Sequence, residues 1–298
     1  MTPLFEGFAK DRAVVDTGIE IPYVAAGSGP PLLLLHGHPQ THAIWHRVAP
    51  RLAERFTVVA TDLRGYGDAS KPAGGERHAA YAKRAMAADQ VAVMRALGHE
   101  RFLLCGHDRG GRVAHRLAVD HPQAVQRLMV LDIAPTLAMY EQTDMAFARA
   151  YWHWFFLIQP APFPETLIGA DPEAYLRQVM GGRHAGLSAF APQAWTEYVR
   201  CARDPDMVHA MCEDYRAAAT IDLEHDRADR DAGRGLSMPF SVLWGEQGII
   251  GRCFDPLAEW RRVHVAPSQV QGGPLPCGHY IPEEAPDALL AAMLDFFE

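Results

Sequence analysis

The feature that most constrains the fold is the segment 103–112, which has the sequence LLCGHDRGGR. An apolar run ends at Gly106, His107 and Asp108, and the chain continues directly into a helix-like segment from Arg112 to Ala118. This pattern matches a nucleophile elbow, the sharp turn that joins a buried strand to a helix and displays one side chain. Asp108 is therefore the candidate nucleophile. An ordinary helix N-cap, for which Asp is also favoured, is the alternative that this segment alone leaves open.

The apolar runs along the chain predict a mostly parallel, eight-stranded α/β sheet. Strands 13–16 and 21–26 are expected to form an opening antiparallel pair. Helix-like segments separate most of the later strands, as in sheets with right-handed crossovers. The remaining strands are expected at 31–35, 56–61, 102–106, 127–131, 240–245 and 263–265, before a loop at 272–279 and a final helix at 286–297.

The rhythm of the pattern changes in the middle of the chain. From Thr136 to Gly235 no apolar strand is predicted, only helix-like segments rich in Ala, Met, Tyr and Trp. We therefore expect three parts, which are a first part of the core at 1–135, an inserted helical cap at 136–235 and a second part of the core at 236–298.

The composition limits the class of partner. The net charge of −8 argues against binding to nucleic acid or to anionic membranes, and it means that an anionic substrate would need local arginines. No segment reaches the roughly 18 apolar residues of a membrane span, and the N-terminus lacks a signal-peptide core, so a cytoplasmic location is expected. The five cysteines have no metal-ligand spacing, and neither a metal nor a cofactor is expected. A homodimer stays an open alternative.

Two residues complete a catalytic set with Asp108. An ester formed on an aspartate needs a base to hydrolyse it, and His279 lies in a glycine-flanked loop downstream, in the order nucleophile, acid, histidine. Asp132 directly follows a predicted buried strand and so lies at the carboxyl edge of the sheet, where ligands bind in open α/β folds. Glu246 is the rival acid. We prefer Asp132, because Gly248 stands where hydrolases with an acid after the seventh strand often carry their aspartate.

Two arginines near the elbow fit an anionic substrate. Arg109 and Arg112 lie at the start of a helix, where the helix dipole disfavours cations, so a compensating anion is expected. They are predicted to hold a substrate carboxylate, and a structural salt bridge is the alternative. The backbone N–H groups of His38 and Arg109 are predicted to form an oxyanion hole.

Motifs along nearly the whole chain resemble the α/β-hydrolase family and, within it, the fluoroacetate (haloacetate) dehalogenases. The HDRGGR run is shared with epoxide hydrolases, whereas Trp152-His153-Trp154 and Asp214-Tyr215-Arg216-Ala217 are more specific. The resemblance implies an α/β-hydrolase fold with a halide pocket formed by His153, Trp154 and Tyr215. The other motifs that carry it are HGHP at 36–39, DLRGYG at 62–67, DIAP at 132–135, LWG at 243–245, GRCFDPL at 251–257 and CGH at 277–279.

The expected activity is hydrolytic dehalogenation of short 2-haloacids, with fluoroacetate as the named substrate and water as the second reactant. An epoxide hydrolase with the same aspartate and histidine machinery is the alternative, and a non-catalytic ligand-binding protein is a third reading. Two departures from the family bear on specificity. His38 stands where relatives often have phenylalanine, and Gly181-Gly182 stands where they tend to have tryptophan, which predicts a wider pocket.

Overall fold

Eight strands form one sheet within residues 4–15 and 18–298, the parts of the chain that the computed structural model describes. Continuous runs of leucine, valine and isoleucine favour strands that are buried on both faces, and such runs form most of the central strands. The strands are β1 (Ala9–Val14), β2 (Glu20–Ala26), β3 (Pro31–Leu35), β4 (Thr57–Thr61), β5 (Phe102–His107), β6 (Val125–Leu131), β7 (Phe240–Gly245) and β8 (Val270–Leu275).

The order of the strands in the sheet is β1-β2-β4-β3-β5-β6-β7-β8. The pairs β1–β2 and β2–β4 are antiparallel, and all other neighbours are parallel. Parallel neighbours bring their carboxyl ends to the same edge of a sheet, so the residues that follow β3, β5, β6 and β7 lie together. The predicted mostly parallel, eight-stranded α/β sheet is confirmed.

Fifteen α-helices accompany the sheet in the described part of the chain. They are α1 (Ala49–Leu52), α2 (Lys83–Ala96), α3 (Arg109–Asp120), α4 (Thr136–Glu141), α5 (Met145–Ala150), α6 (Trp152–Leu157), α7 (Phe163–Ala170), α8 (Pro172–Gly181), α9 (Pro192–Ala202), α10 (Pro205–Ala218), α11 (Ile221–Asp231), α12 (Ile250–Cys253), α13 (Pro256–Arg262), α14 (Ile281–Glu284) and α15 (Pro286–Phe297). Short 3-10 segments lie at His42–Arg47, Glu76–Tyr81, Gly186–Ala189 and Pro267–Gln269. None of the helices among these residues has the length and apolarity that a membrane crossing requires.

The core lies on both faces of the sheet because side chains alternate along each strand. Leu33 and Leu35 of β3 contribute to a cluster that includes residues of α2, α3 and the helices after β6. Leu32 and Leu34 contribute to the opposite cluster, which includes α1 and α15. All four leucines are fully buried, which explains why this strand reads as a continuous apolar run.

The helices α4 to α11 span Thr136 to Asp231, the region where the sequence predicts helices only. α10 is buried along most of its length and carries Asp214 and Tyr215. The division of the chain into a core at 1–135 and 236–298 and a cap at 136–235 stays a prediction.

The predicted strand at 263–265 is wrong. Val263 follows the last residue of α13, and His264 makes one isolated bridge to Leu236. The eighth strand is β8, whose glycines and proline are typical of a loop. It is an edge strand whose one neighbour among the described strands is β7. Gly272 is required because a Cβ there would lie 1.8 Å from the backbone oxygen of Val242.

The first strand is shifted from its prediction. β1 begins at Ala9 and ends at Val14, whereas the apolar pattern placed it at 13–16. The four residues of β1 before Ala13 are all exposed, so the alternation of apolar and polar residues gives little signal at this edge of the sheet. The predicted end at Asp16 lies outside the described residues.

Candidate active site

Asp108 lies in a strained turn between β5 and α3. Its backbone has φ 48° and ψ −114°, a conformation that L residues rarely adopt and that is typical of functional turns. The turn packs closely against the loop after β3. A Cβ at Gly110 would lie 2.4 Å from the His36 backbone oxygen, and a Cβ at Gly37 would lie 2.5 Å from the Asp108 Cβ. Only glycines at these two positions allow the carboxylate to be held here, where it is 2% exposed.

The surroundings of Asp108 favour its ionised form. Burial opposes ionisation, but the imidazoles of His279 and His107 and the guanidinium groups of Arg112 and Arg109 together hold the pKa of the Asp108 carboxyl well below its usual range. The backbone N–H of His38 donates to Oδ1 of Asp108 at 2.8 Å. The second N–H predicted for the oxyanion hole belongs to the first residue of α3, where helix geometry leaves it without an intrahelical acceptor.

His279 and Asp132 form a direct hydrogen bond. Nδ1 of His279 lies 2.5 Å from Oδ2 of Asp132, and both side chains are buried. Asp132 follows β6 with φ 52°, and its Oδ1 accepts a hydrogen bond from the backbone N–H of Gly245 at 3.0 Å. The rival acid, Glu246, is exposed. Of the two acids that the sequence offered, Asp132 is thus the one that contacts the histidine.

The two arginines beside Asp108 have different partners. Arg109 and Asp214 are both fully buried, with Nε to Oδ2 at 2.8 Å and Nη2 to Oδ1 at 2.9 Å, while Nη1 of Arg109 has no partner within the described residues. Asp214 also accepts hydrogen bonds from Tyr66 Oη at 2.7 Å and from Lys83 Nζ. Arg109 therefore has a protein counter-ion, as the salt-bridge alternative anticipated.

Arg112 lacks such a counter-ion among the residues that the structure describes. Its Nη1 donates to the Ala134 backbone oxygen at 3.2 Å and to Thr136 Oγ1 at 3.0 Å, and its guanidinium lies 4.6 Å from the centre of the Trp154 ring. Burial and the charge of Arg109 lower the pKa of Arg112, which is the sign of a cation that is poorly compensated. An anion bound here would gain the most from this group.

The three residues of the implied halide pocket lie together. The centre of the Tyr215 ring lies 5.9 Å from the centre of the His153 ring and 6.2 Å from that of the Trp154 ring. All three side chains are at least nine-tenths buried. Burial, reinforced by Arg183 and His38, lowers the pKa of His153 well below its usual value, and burial raises that of Tyr215, so both side chains are neutral.

The pocket presents hydrogen-bond donors that have no partner within residues 4–15 and 18–298. Unpartnered buried donors cost free energy, so several of them on neighbouring side chains indicate a place for a small anion. The donor atoms concerned are Nη1 of Arg109, Nε of Arg112, Nε1 of Trp154 and the hydroxyls of Tyr151 and Tyr215, and Nδ1 of His38 is a further buried nitrogen without a described partner. Neighbouring pairs among these side chains are Arg109 with Tyr215, Arg112 with Trp154, His38 with Tyr215 and Tyr151 with Trp154. No group of three or more His, Cys, Asp or Glu residues in the same ranges has the arrangement of a metal site.

His38 is a buried member of this pocket. Its ring centre lies 5.1 Å from Tyr215 and 6.0 Å from His153, and its Nε2 lies 3.0 Å from the hydroxyl of Tyr175. Burial lowers the pKa of His38 to about 3, so the side chain is a neutral group and not the titrating one that its type suggested.

Four buried residues to which the sequence pattern assigns no role support the site. Asp214 holds Arg109, Lys83 and Tyr66 surround Asp214, and Nε2 of His107 lies 2.8 Å from the backbone oxygen of His279. The partners in these four contacts are between 105 and 172 residues apart along the chain, so local pattern gives no signal. A buried lysine at the start of α2 is visible only after folding.

The fold and the site define the class of protein. A family model described as the alpha/beta hydrolase fold matches residues 30–286. The chain belongs to the α/β-hydrolase family, and the resemblance that its motifs carry is confirmed at this level.

Individual relatives narrow the similarity further. The chain is 48% identical to fluoroacetate dehalogenase from Burkholderia sp over 297 residues, which are 98% of this chain and 95% of that protein. It is 35% identical to the soluble epoxide hydrolase of Corynebacterium sp. (strain C12), over 94% of each chain. A solved structure from Nostoc sp PCC 7120, classed as an α/β hydrolase, is 57% identical, with a TM-score of 0.94 over 98% of both chains.

Proposed function

We propose that this protein hydrolyses the carbon–halogen bond of short 2-haloacids, with fluoroacetate as the named substrate. The observation that carries the proposal is the ring of unpartnered buried donors beside an ionised aspartate. The similarity to fluoroacetate dehalogenase from Burkholderia sp supports the same reading.

Binding comes first in the proposed reaction. The substrate carboxylate lies against Arg112, which has no other described carboxylate partner, and against the free Nη1 of Arg109. This holds the α-carbon next to Asp108 and offsets the repulsion between two anions. Because Asp214 already neutralises much of the charge of Arg109, Arg112 contributes most of the attraction.

The first chemical step forms an ester. Oδ1 of Asp108 is held by the N–H of His38, so Oδ2 is the oxygen that attacks the α-carbon. The new C–O bond forms as the carbon–halogen bond breaks, and the halide leaves with the electron pair. Neutral donors from His153, Trp154 and Tyr215 take over hydrogen bonding to the halide. Bonds to charged groups contribute about 1.5–3 kcal/mol each, so several donors give a large effect on the rate even though they are not additive.

The second step restores the aspartate. His279, oriented by Asp132, takes a proton from water, and the resulting hydroxide attacks the Cγ carbon of Asp108. The N–H groups of His38 and Arg109 stabilise the oxyanion until it collapses to the 2-hydroxyacid and the free carboxylate. Fluoroacetate and water thus give glycolate, fluoride and a proton, and attack at the α-carbon inverts a chiral substrate.

The test is release of halide together with isotope labelling. The purified protein, incubated with fluoroacetate in heavy-oxygen water, should release free fluoride and incorporate the isotope into Asp108 over repeated turnovers. Peptide mass spectrometry locates the label. Fluoride release without label at Asp108 would refute the ester mechanism, and no halide release from fluoro-, chloro- or bromoacetate would refute the function.

A specific observation also favours an epoxide hydrolase as second candidate. The buried hydroxyls of Tyr151 and Tyr215 have no described partner and are suited to protonate an opening epoxide. The discriminating residue is Arg112, because a neutral epoxide gains nothing from an uncompensated cation. Arg112→Gln should abolish turnover of fluoroacetate in a dehalogenase, whereas hydrolysis of styrene oxide that survives the same change would favour the epoxide hydrolase.

A further inference from the structure

A cavity outside the ring of donors reaches the candidate base. Its volume is about 450 Å³, and both His153 and His279 line it. We call it the outer cavity. The other walls come from α5 and α6, from the end of α8 with the residues that follow it, and from the segment around α12. It therefore places open space directly beside His153 and His279.

The outer cavity is lined by positive charge. Arg149, Arg183 and Arg252 belong to its walls, and none of the described residues that line it is an aspartate or a glutamate. This contrasts with the whole chain, whose net charge is −8. A cleft lined by one sign of charge focuses the electric field and raises the local concentration of oppositely charged ligands.

Arg183 is the cation that extends furthest inward. It is only partly exposed, and its guanidinium lies 4.7 Å from the centre of the ring of Tyr151, whose own centre is 6.4 Å from the ring of His279. No carboxylate within the described ranges forms an ion pair with Arg183. By contrast, Arg177, six residues earlier on α8, pairs with Glu173 at 2.7 Å.

Gly182 lies beside Arg183 in the wall of the outer cavity. It is exposed, at one of the two positions where bulk was expected from the family and glycine is found. A Cβ at Gly182 would lie 2.7 Å from the backbone oxygen of Gln178, so a larger residue there would require a shift of the backbone. The space for a ligand at Arg183 is the cavity itself, whose volume of about 450 Å³ exceeds what a two-carbon acid occupies.

We propose that the outer cavity is a second carboxylate-binding site, in which Arg183 holds an anionic group of the substrate. For fluoroacetate it captures the single carboxylate on its way to Arg112. For a four-carbon haloacid with two carboxylates, Arg183 holds the distal one while Arg112 holds the other. The substrate class thus extends from 2-haloacetates to 2-halo dicarboxylates. This proposal rests on the proposed function only for the identity of the inner site.

The main variants are Arg183→Gln, which removes the charge at similar length, and Arg183→Lys, which keeps it. Arg177→Gln is the matched control because it removes a nearby exposed arginine, on α8, that does not line the outer cavity. At low salt, Arg183→Gln should lower kcat/KM for fluoroacetate roughly five- to tenfold, in the lower part of the range for electrostatic steering, and should flatten its dependence on ionic strength. The value of kcat should change less than twofold, because Arg183 acts before the chemical step. Arg183→Lys should retain most of kcat/KM, and Arg177→Gln should match the wild type.

A binding measurement that needs no turnover accompanies the kinetics. Titration with acetate and with succinate, followed by tryptophan fluorescence because Trp152 lines the outer cavity, should show succinate binding about fivefold more tightly in the wild type, as expected for one partly exposed ion pair. Arg183→Gln should remove that preference. Thermal melting confirms that each variant is folded.

The outcomes distinguish the possible roles of the outer cavity, and they distinguish failure of this proposal from failure of the proposed function. A change in salt dependence alone assigns the outer cavity to capture of an entering monocarboxylate, and a change in the succinate preference assigns it to a distal carboxylate. If Arg183→Gln alters neither, the outer cavity is not a carboxylate site. If the wild type releases no halide but binds succinate more tightly than acetate, and Arg183→Gln removes that preference, the proposed function fails while the binding site stands.

Discussion

Replacement of Asp214 by asparagine tests whether a buried ion network supports the candidate site. Asp214 is fully buried, and it accepts hydrogen bonds from Arg109, Lys83 and Tyr66. Asp214→Asn preserves the shape of the side chain but removes the charge. Lys83 then keeps only Asp222, at 3.6 Å, and Arg109 has no carboxylate partner in the described part of the chain.

The expected loss of stability follows from the burial of both cations. Removing one partner from a buried ion pair costs about 3–5 kcal/mol, because it leaves an uncompensated charge. With an unfolding entropy of about 2.1 cal/mol/K per residue and 298 residues, that loss corresponds to a fall in Tm of about 5–8 °C. We also expect a lower kcat/KM for fluoroacetate, because Asp214 orients the guanidinium of Arg109.

Differential scanning calorimetry measures the shift, and two variants serve as controls. Glu224→Gln removes an exposed pair with Arg77 and should lower Tm by less than about 2 °C. The double variant Asp214→Asn with Lys83→Met removes one of the stranded cations and should recover part of the loss. A Tm for Asp214→Asn within about 2 °C of the wild type, or no recovery in the double variant, would refute the reasoning.

Three other predictions follow from the geometry. His279→Asn should stop the reaction at the ester and leave Asp108 alkylated, because no other histidine in the described ranges is oriented by a hydrogen bond to Asp132. Intact-mass spectrometry that finds unmodified protein would contradict this. His38→Phe keeps an aromatic ring but removes both ring nitrogens, of which Nδ1 has no described partner and Nε2 lies 3.0 Å from the Tyr175 hydroxyl. The value of kcat for defluorination should fall about tenfold and that for dechlorination less, and equal losses would count against a role of the ring at the halide. Although burial opposes it, His42 lowers the pKa of Asp62 to about 2, while Asp62 raises the pKa of His42 against its own burial. The contribution of the Asp62 carboxylate to the free energy of unfolding is lost as pH falls from about 4 towards 2, and that of the His42 imidazole is lost as pH rises above about 6.5. Urea unfolding should therefore give a larger loss of stability for His42→Gln at pH 5 than at pH 8. The reverse order would refute the pairing.

The sequence by itself determined the strands that are buried on both faces, because each is a local apolar run. β3 and β7 have the bounds that the pattern predicts, and α15 also begins and ends where expected. The elbow at Asp108 was equally readable, since a close turn between strand and helix requires small residues at fixed spacing. Edge strands gave no such signal. β8 contains glycine and proline, and only its pairing with β7 makes it a strand.

The tertiary structure alone decided how the charges are partnered. From the local sequence Arg109 and Arg112 look equivalent. In the folded chain Arg109 forms an ion pair with Asp214, whereas Arg112 has no carboxylate partner among the described residues. The fold likewise places Asp132, which follows β6, in contact with His279, and it buries the ring of His38 as a neutral group. The physical reason is range. Periodicity and turn chemistry act between residues a few positions apart, but burial and ion pairing depend on side chains that are a hundred or more positions apart and meet only when the chain is folded.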